Sequence, residues 1–292
     1  MERLASTKLI SNQKYSLTVY IDLYNKRIRV DDMLGDGKKG IQKVEEMAQD
    51  LGIEKLIIKA RIEQFKMMLE NGYQHEASID RYFLGSDCYF FCKYFQAERK
   101  NDPQWLKGDD IFRKVKRLSQ EPEGANLPKE YELKPVGQED ANKLAKLYKE
   151  VFKIYPTPLH EPEYIIKTIE EGTVYYAIYC NDVIVSAASA EVQAFYKNAE
   201  LTDCATLPEH RHHGLMKILL LKLEAELLNK GIFCAYSIAR SLSFGMNRIL
   251  HQLNYQYRGR LVNNCYIYDK LESMNVWVKD LSKSKGCVNV EC

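Results

Sequence analysis

Between Ala199 and Asn229 the chain passes from a strand through a short basic turn into a helix, and no other segment limits the fold as much. Residues 199–207 read as a strand, 208–213 as a tight turn, and 214–229 as a helix opening at Gly214. A helix N-terminus leaves its first backbone N–H groups without partners and concentrates positive dipole density, so it suits a pyrophosphate. Arg211, His212 and His213 add polar or cationic donors at that end. An ordinary surface turn before an amphipathic helix has the same local pattern, and the rest of the chain decides between the two.

At 292 residues the chain holds one large domain or two modest ones. It is 46% hydrophobic and 28% charged, which fits a soluble globule with a substantial core. A net charge of +2 points away from a nucleic-acid partner. No apolar run reaches the roughly 18 residues needed to span a membrane. Met1–Lys8 lacks an apolar signal core, so a cytoplasmic location is expected. Cysteines stand at 88, 92, 180, 204, 234, 265, 287 and 292, mostly in apolar runs and never as Cys-x-x-Cys, and they read as reduced core residues. Cys88, Cys92 and His75 lack the paired spacing of a zinc site. His210, His212 and His213 crowd one short turn and fit phosphate better than a metal, so no metal is expected.

Composition shifts at about residues 97–129, where Pro122, Gly124 and Pro128 mark a linker. The reading is an N-terminal α/β domain over 1–126, with its polar linker from about 97, a second domain over 127–281, and a flexible tail over 282–292. In the second domain, strands are expected at 131–136, 174–180, 183–192, 199–207, 232–238, 256–267 and 273–279. Helices are expected at 138–152, 163–170, 214–229 and 241–253, and Asn181-Asp182 should close a hairpin. The first domain carries an echo of this order: a hairpin over 17–30, a helix from Gly40 to Leu51, a strand at 55–59, a helix from Ala60-Arg61 to Gly72-Tyr73, and strands at 74–83 and 88–95. We read 15–96 as a degenerate half-copy, with Gly40 matching Gly214, Ala60-Arg61 matching Ala239-Arg240, and Gly72-Tyr73 matching Asn254-Tyr255. Gly35-x-Gly-Lys-Lys-Gly40 lacks the spacing of a nucleotide-binding P-loop.

Arg211-His-His-Gly214-Leu-Met216 resembles the Arg/Gln-x-x-Gly-x-Gly/Ala turn of the GCN5-related N-acetyltransferase (GNAT) superfamily, with Met216 where a small residue is usual. The element order over 130–280 is also that of this mixed-sheet, α+β fold. The resemblance implies acetyl-CoA as co-substrate, held by Ala205, Thr206 and Leu207 on the strand, by Arg211, His212, His213, Gly214, Leu215 and Met216 at the helix end, and by Asn247. It further implies that the Leu207 N–H polarises the thioester carbonyl and that Glu200 or Asp203 is the general base. Transfer from a thioester to an amine needs a proton acceptor, a polarised carbonyl and a stabilised leaving thiolate, but no enzyme nucleophile when both substrates bind together. Leu250 stands where the family often has its general-acid Tyr. Tyr255, Tyr257, Tyr266, Tyr268 or water could replace it.

Within the superfamily, Val151-Phe-Lys-Ile-Tyr-Pro-Thr-Pro158, Thr202-Asp-Cys-Ala-Thr206, Ser237-Ile-Ala-Arg240, Leu261-Val-Asn-Asn264 and Glu272-Ser-Met-Asn-Val-Trp277 resemble the β-lysine N6-acetyltransferases, which make a compatible solute. His212 and His213 depart from the Gly-Lys usual there. For a diamino acid, Asp203, Glu191 and Glu272 could face the amines, and Arg240, Asn263, Asn264 and Asn275 the carboxylate, with Tyr155 as a pocket wall. The partner expected is thus a small-molecule amine, with no nucleic acid or membrane, and the chain a monomer or homodimer. Two alternatives stand beside this reading: another acceptor (lysine, a polyamine or a protein lysine), or a catalytically weak acyl-CoA-binding regulatory module.

Overall fold

Six residues, Lys55-Leu-Ile-Ile-Lys-Ala60, form a strand buried along its whole length although it contains lysines at both ends of one face. The way those amines are neutralised explains much of the first half of the molecule. The computed structural model describes residues 5–121, 126–152, 157–267 and 270–283. Along the chain the first elements are β1 (Ala5–Ser11), β2 (Tyr15–Asp22), β3 (Arg27–Gly35), α1 (Gly37–Asp50), β4 (Lys55–Ala60), α2 (Phe65–Glu70), β5 (Gln74–Phe83), β6 (Ser86–Tyr94), α3 (Ala97–Lys100) and α4 (Trp105–Lys116). Then come β7 (Glu132–Pro135), α5 (Ala141–Val151), α6 (Pro162–Glu170), β8 (Val174–Cys180), β9 (Val183–Gln193), β10 (Asn198–Thr206), α7 (Leu215–Asn229), β11 (Cys234–Arg240), α8 (Phe244–Gln252), β12 (Gln256–Ile267) and β13 (Lys270–Asp280).

The chain divides into two compact units. The first contains residues 1–110, 240–242 and 258–276, and the second contains 111–239, 243–257 and 277–292. Residues 258–276, expected in the second domain, therefore pack with the first hundred residues.

In the first unit the strands lie in the order β1-β2-β3-β4-β6-β5-β12-β13. Leu56, Ile58 and Ala60 of β4 join Ile41, Val44 and Ala48 of α1 in one apolar core. The opposite face of β4 carries the lysines. The Lys55 amine donates to Glu76 Oε2 at 2.8 Å and to the Val262 carbonyl at 2.6 Å. Lys59 lies 2.8 Å from an Asp31 carboxylate oxygen and donates to the Tyr82 hydroxyl. A buried charge is tolerated only with such partners. Strands β3 and β4 pair in parallel from Arg27/Lys55 to Val30/Ile58. Beyond that stretch Lys59–Asp31 and Arg61–Asp32 (2.6 Å) tie their ends together. Strand β12 joins β5 at Gly259/Ala77, where Gly259 has φ +128° and a Cβ would collide with the Glu76 carbonyl.

Acid should loosen this unit first. Burial works to raise the Asp31 carboxyl, but Arg29 and Lys59 carry it well below the usual carboxylate range. Burial likewise opposes, and hydrogen bonds from Lys26 and Arg99 override, a lowered Glu54. Groups depressed in the folded state contribute stability above their unfolded pKa of about 4 and lose it as pH falls through the folded value. Hydrogen exchange between pH 7 and 3, corrected for intrinsic rates, should therefore show β3 and β4 losing protection before β8 and β9.

In the second unit β7, β8, β9 and β10 are neighbours in an antiparallel run, and β10 pairs in parallel with β11. Asn181 and Asp182 both have positive φ, 49° and 61°, as a tight hairpin turn requires, and they join β8 to β9 as expected. Helix α5 buries Leu144, Leu147 and Tyr148, and α7 buries Leu219, Leu223 and Leu227. Asn247 and Trp277, both fully buried, are joined by an indole N–H bond of 2.9 Å.

β1-β2-β3-α1-β4-α2-β5-β6 and β8-β9-β10-α7-β11-α8-β12-β13 share one order along the chain. In each course the second and third strands are antiparallel with a register shift, and the fourth strand joins the third in parallel. The second helix-to-strand junction of each course also matches: Tyr73 N–H bonds the Met68 carbonyl and Tyr255 N–H bonds the Leu250 carbonyl, each at 3.0 Å, after Gly72 (φ +77°) and Asn254 (φ +67°). One proposed equivalence shifts. Gly40 lies inside α1 against Met33 and Leu17, and the residue that caps α1, as Gly214 caps α7, is Asp36. β1 carries no sequence signature of a strand, because its largely exposed Ser/Thr/Lys pattern lacks an apolar face.

Candidate active site

In the second unit, β10 and β11 pair only from Asn198/Cys234 to Glu200/Tyr236, although β10 runs on to Thr206. Past Glu200 the strands part, leaving one edge of β10 open. The register of β10 on β9 breaks between Thr202 and Ala205, a β-bulge with Asp203 at φ +51°. A non-glycine residue in that region is uncommon, and an Asp there recurs at bulges and functional sites.

The bulge decides which backbone groups face the gap. Leu207 N–H donates to the Val185 carbonyl of β9 at 2.9 Å, so the donor expected from Leu207 is already committed. Successive backbone groups of a strand point to opposite edges. The Thr206 N–H and C=O therefore face away from β9, and Arg211 Nε reaches that carbonyl at 3.4 Å. Thr206, not Leu207, presents its amide on the open edge. The Ala205 carbonyl accepts from Ser186 Oγ at 3.1 Å on the β9 side.

The turn after β10 leads to Gly214, left-handed at φ +72°, as the N-cap of α7. No side chain caps this helix and no acidic residue lies in its first turn. Lys217 and Ile218 N–H groups return to the Gly214 carbonyl. The Leu215 and Met216 side chains are core residues, so only their backbone amides could serve an anion. Arg211, His212 and His213 are exposed on the turn, with His212 also left-handed at φ +71°. Tyr131 braces this turn: its hydroxyl is 2.9 Å from His210 Nδ1, and its ring lies 5.8 Å from that of His213. The donor set at the head of α7 thus fits a pyrophosphate.

Glu200, half-buried, is the last β10 residue paired with β11, and across β9 it stands opposite the exposed Glu191. Asp203 is only 5% exposed and accepts from Ser189 Oγ at 2.7 Å. Carboxylates thus gather on one part of β9 and β10, an arrangement that favours a cation. Burial, with the Asp203 charge adding to it, pushes the Cys204 thiol up to about 12. It stays protonated at neutral pH and is no acyl-accepting nucleophile.

Several expected site residues serve the fold instead. Asn247 is fully buried, with its amide donating to the Ser243 carbonyl and its oxygen accepting from Trp277, so it is a brace and not a cofactor ligand. In the first unit, Arg240 and Glu272 hold each other in a bidentate pair at 2.6 and 2.8 Å, so neither awaits a substrate charge as a lone ion. Asn263 donates to the Arg99 and Asn101 carbonyls, and Asn275 accepts from Arg260. The Asn264 backbone carbonyl receives Arg27 and Arg99. Leu250, at the usual general-acid position, is fully buried in the core. Tyr155 and Tyr268 lie outside the described residues. The sequence reading missed Ser189, which holds Asp203, though a serine within the apolar run of β9 was a signal.

Residues 141–242 match the model of the acetyltransferase (GNAT) family. The chain is 36% identical over 260 residues to N-acetyltransferase YodP of Bacillus subtilis, covering 89% of this chain and 94% of that one. It is 33% identical to the beta-lysine N(6)-acetyltransferase of Methanococcus maripaludis over 89% of this chain and 95% of the relative. The enzyme of the same name from Methanosarcina mazei is 36% identical over 72% and 85% of the two chains. With the parted strands and the uncapped α7 in place, these likenesses settle the family: the chain belongs to the GNAT family and is an N-acetyltransferase.

Proposed function

We propose that the chain transfers the acetyl group of acetyl-CoA to N6 of β-lysine by direct attack, giving N6-acetyl-β-lysine for use as a compatible solute. The observation that carries the acceptor is the likeness to two β-lysine N6-acetyltransferases over 95% and 85% of their lengths. The carboxylates of Glu191, Glu200 and Asp203 on β9 and β10 agree with a cationic acceptor.

Acetyl-CoA supplies the activated acyl group. The Leu215 and Met216 amides with Arg211, His212 and His213 hold its pyrophosphate, and Ala205 and Thr206 line the acyl arm. The Thr206 N–H on the open edge of β10 polarises the thioester carbonyl. Glu200 takes the proton of the attacking N6 amine, the N–C bond forms, the C–S bond breaks, and the leaving thiolate is protonated from water or a nearby hydroxyl. Asp203 holds the acceptor's positive charge.

The test is acetyl-CoA consumption with β-lysine, α-lysine and spermidine in parallel, with mass spectrometry of the product. Preference for β-lysine and acetyl on N6 is expected. Turnover of other amines alone would remove the acceptor and the solute role.

A further inference from the structure

The turn between β10 and α7 is tethered from outside by one side chain. Tyr131, the residue before β7, is only 9% exposed and packs in the core of the second unit, where its N–H bonds the Pro128 carbonyl at 3.0 Å. Its hydroxyl lies 2.9 Å from His210 Nδ1, a bond that stands whichever atom supplies the hydrogen. The same ring meets the His210 ring edge-on at 5.7 Å and the tilted His213 ring at 5.8 Å. Arg211 and His212 thus lie between two residues that one buried tyrosine touches.

The turn has few bonds of its own. His210 N–H returns to the Leu207 carbonyl at 3.0 Å, Arg211 N–H to the Pro208 carbonyl at 3.3 Å, and Arg211 Nε to the Thr206 carbonyl at 3.4 Å. His212 and Gly214 are both left-handed, and at His212 that conformation has a cost that its surroundings must offset. Among the described residues, every hydrogen bond and ring contact that reaches residues 208–213 from outside residues 206–214 comes from Tyr131.

We propose that Tyr131 is a positioning residue for the acyl donor: through His210 and His213 it holds the turn in the shape that presents Arg211, His212 and the head of α7 to the pyrophosphate of acetyl-CoA. This rests on the acetyl-CoA site proposed at the head of α7. A turn already in shape need not be ordered when the donor binds, so loss of the tether weakens donor affinity and leaves the chemical step alone. The effect is confined to the end of the donor that the turn touches. The thioester end lies along β10, whose Ala205 and Leu207 backbone groups are bonded on the β9 side without Tyr131.

S-acetylpantetheine keeps the thioester and the pantetheine arm but carries no pyrophosphate, so it separates this role from a general loss of structure. Tyr131→Phe keeps the buried ring and removes only the hydroxyl. It should weaken acetyl-CoA binding about fivefold by calorimetry, with kcat at saturating donor and β-lysine within about twofold. Its kcat/KM for S-acetylpantetheine should match that of the wild type. His210→Ala should act in the same way, and the double variant should be no worse than either single one, because they remove one shared bond. His210→Asn, which keeps a hydrogen-bonding atom near the place of Nδ1, should bind acetyl-CoA almost as the wild type does. Unchanged acetyl-CoA affinity in Tyr131→Phe and His210→Ala, or an equal loss on both donors, overturns the inference and leaves the donor site standing. A wild-type enzyme with the same kcat/KM for both donors overturns the donor site and this inference with it.

Discussion

Replacing Glu200 by Gln should lower kcat by about 10²-fold or more and leave acetyl-CoA affinity within about twofold, because only proton transfer is removed. Glu200 is the last β10 residue held by β11 before the strands part, so its backbone is fixed while its side chain stands beside the gap. Gln keeps the size and hydrogen-bonding reach of the carboxylate but cannot accept the ammonium proton. The defect should shrink as pH rises, since more acceptor then arrives as free amine. Asp203→Asn, by contrast, should raise the acceptor KM more than it lowers kcat. Steady-state rates from pH 6 to 10 at saturating acetyl-CoA would check both. A Glu200→Gln enzyme with normal kcat at neutral pH would remove Glu200 as the base.

A protein cut at the linker should fail outright. Residues 127–292 expressed alone should be insoluble, although they contain the whole family match and all the proposed catalytic groups. Residues 258–276 belong to the first unit, and their polar groups find partners among residues 1–110. Arg258 pairs with Asp80, the Val262 carbonyl receives Lys55, Asn263 donates to Arg99 and Asn101, and the Tyr266 N–H is taken by Asn25. Orphaning a buried polar group costs roughly 1–3 kcal/mol. Several such losses together approach the whole stability of a typical domain, about 5–15 kcal/mol. The fragment would also bare the β12 edge now joined to β5, an invitation to aggregate. Sedimentation of the expressed fragment tests this directly, and a soluble, cooperatively folding 127–292 would refute it. Supplying residues 1–126 in trans should restore soluble protein.

What could be read from the sequence was local. Gly214 before an apolar run, Asn181-Asp182 between two strands, and the stripe of α5 each write their geometry into neighbouring residues. The pairing of Gly259 with Ala77 spans most of the chain, and no local pattern announces it. The one-residue error at Leu207 has a definite cause. A bulge inserts an unpaired residue and reverses which amides face each edge, and the bulge at Asp203 leaves no mark in the spacing of apolar residues. Arg240 and Glu272 were assigned to opposite substrate charges because sequence gives charge without distance, whereas in the fold they satisfy each other.

The ion pairs that sew β3 to β4 bear on how the enzyme responds to its acyl donor. Lys59–Asp31 and Arg61–Asp32 bridge the place where the matching strands of the later course part, and the Asp36 carboxylate occupies the head of α1. The matching place in the first unit is thus a seam, with a negative group at the head of α1 where a phosphate would need positive ones. With the donor held at the head of α7 as proposed, saturation by acetyl-CoA should be a simple hyperbola in initial-rate measurements. Any sigmoidal dependence on the donor would have to arise from chains acting on one another.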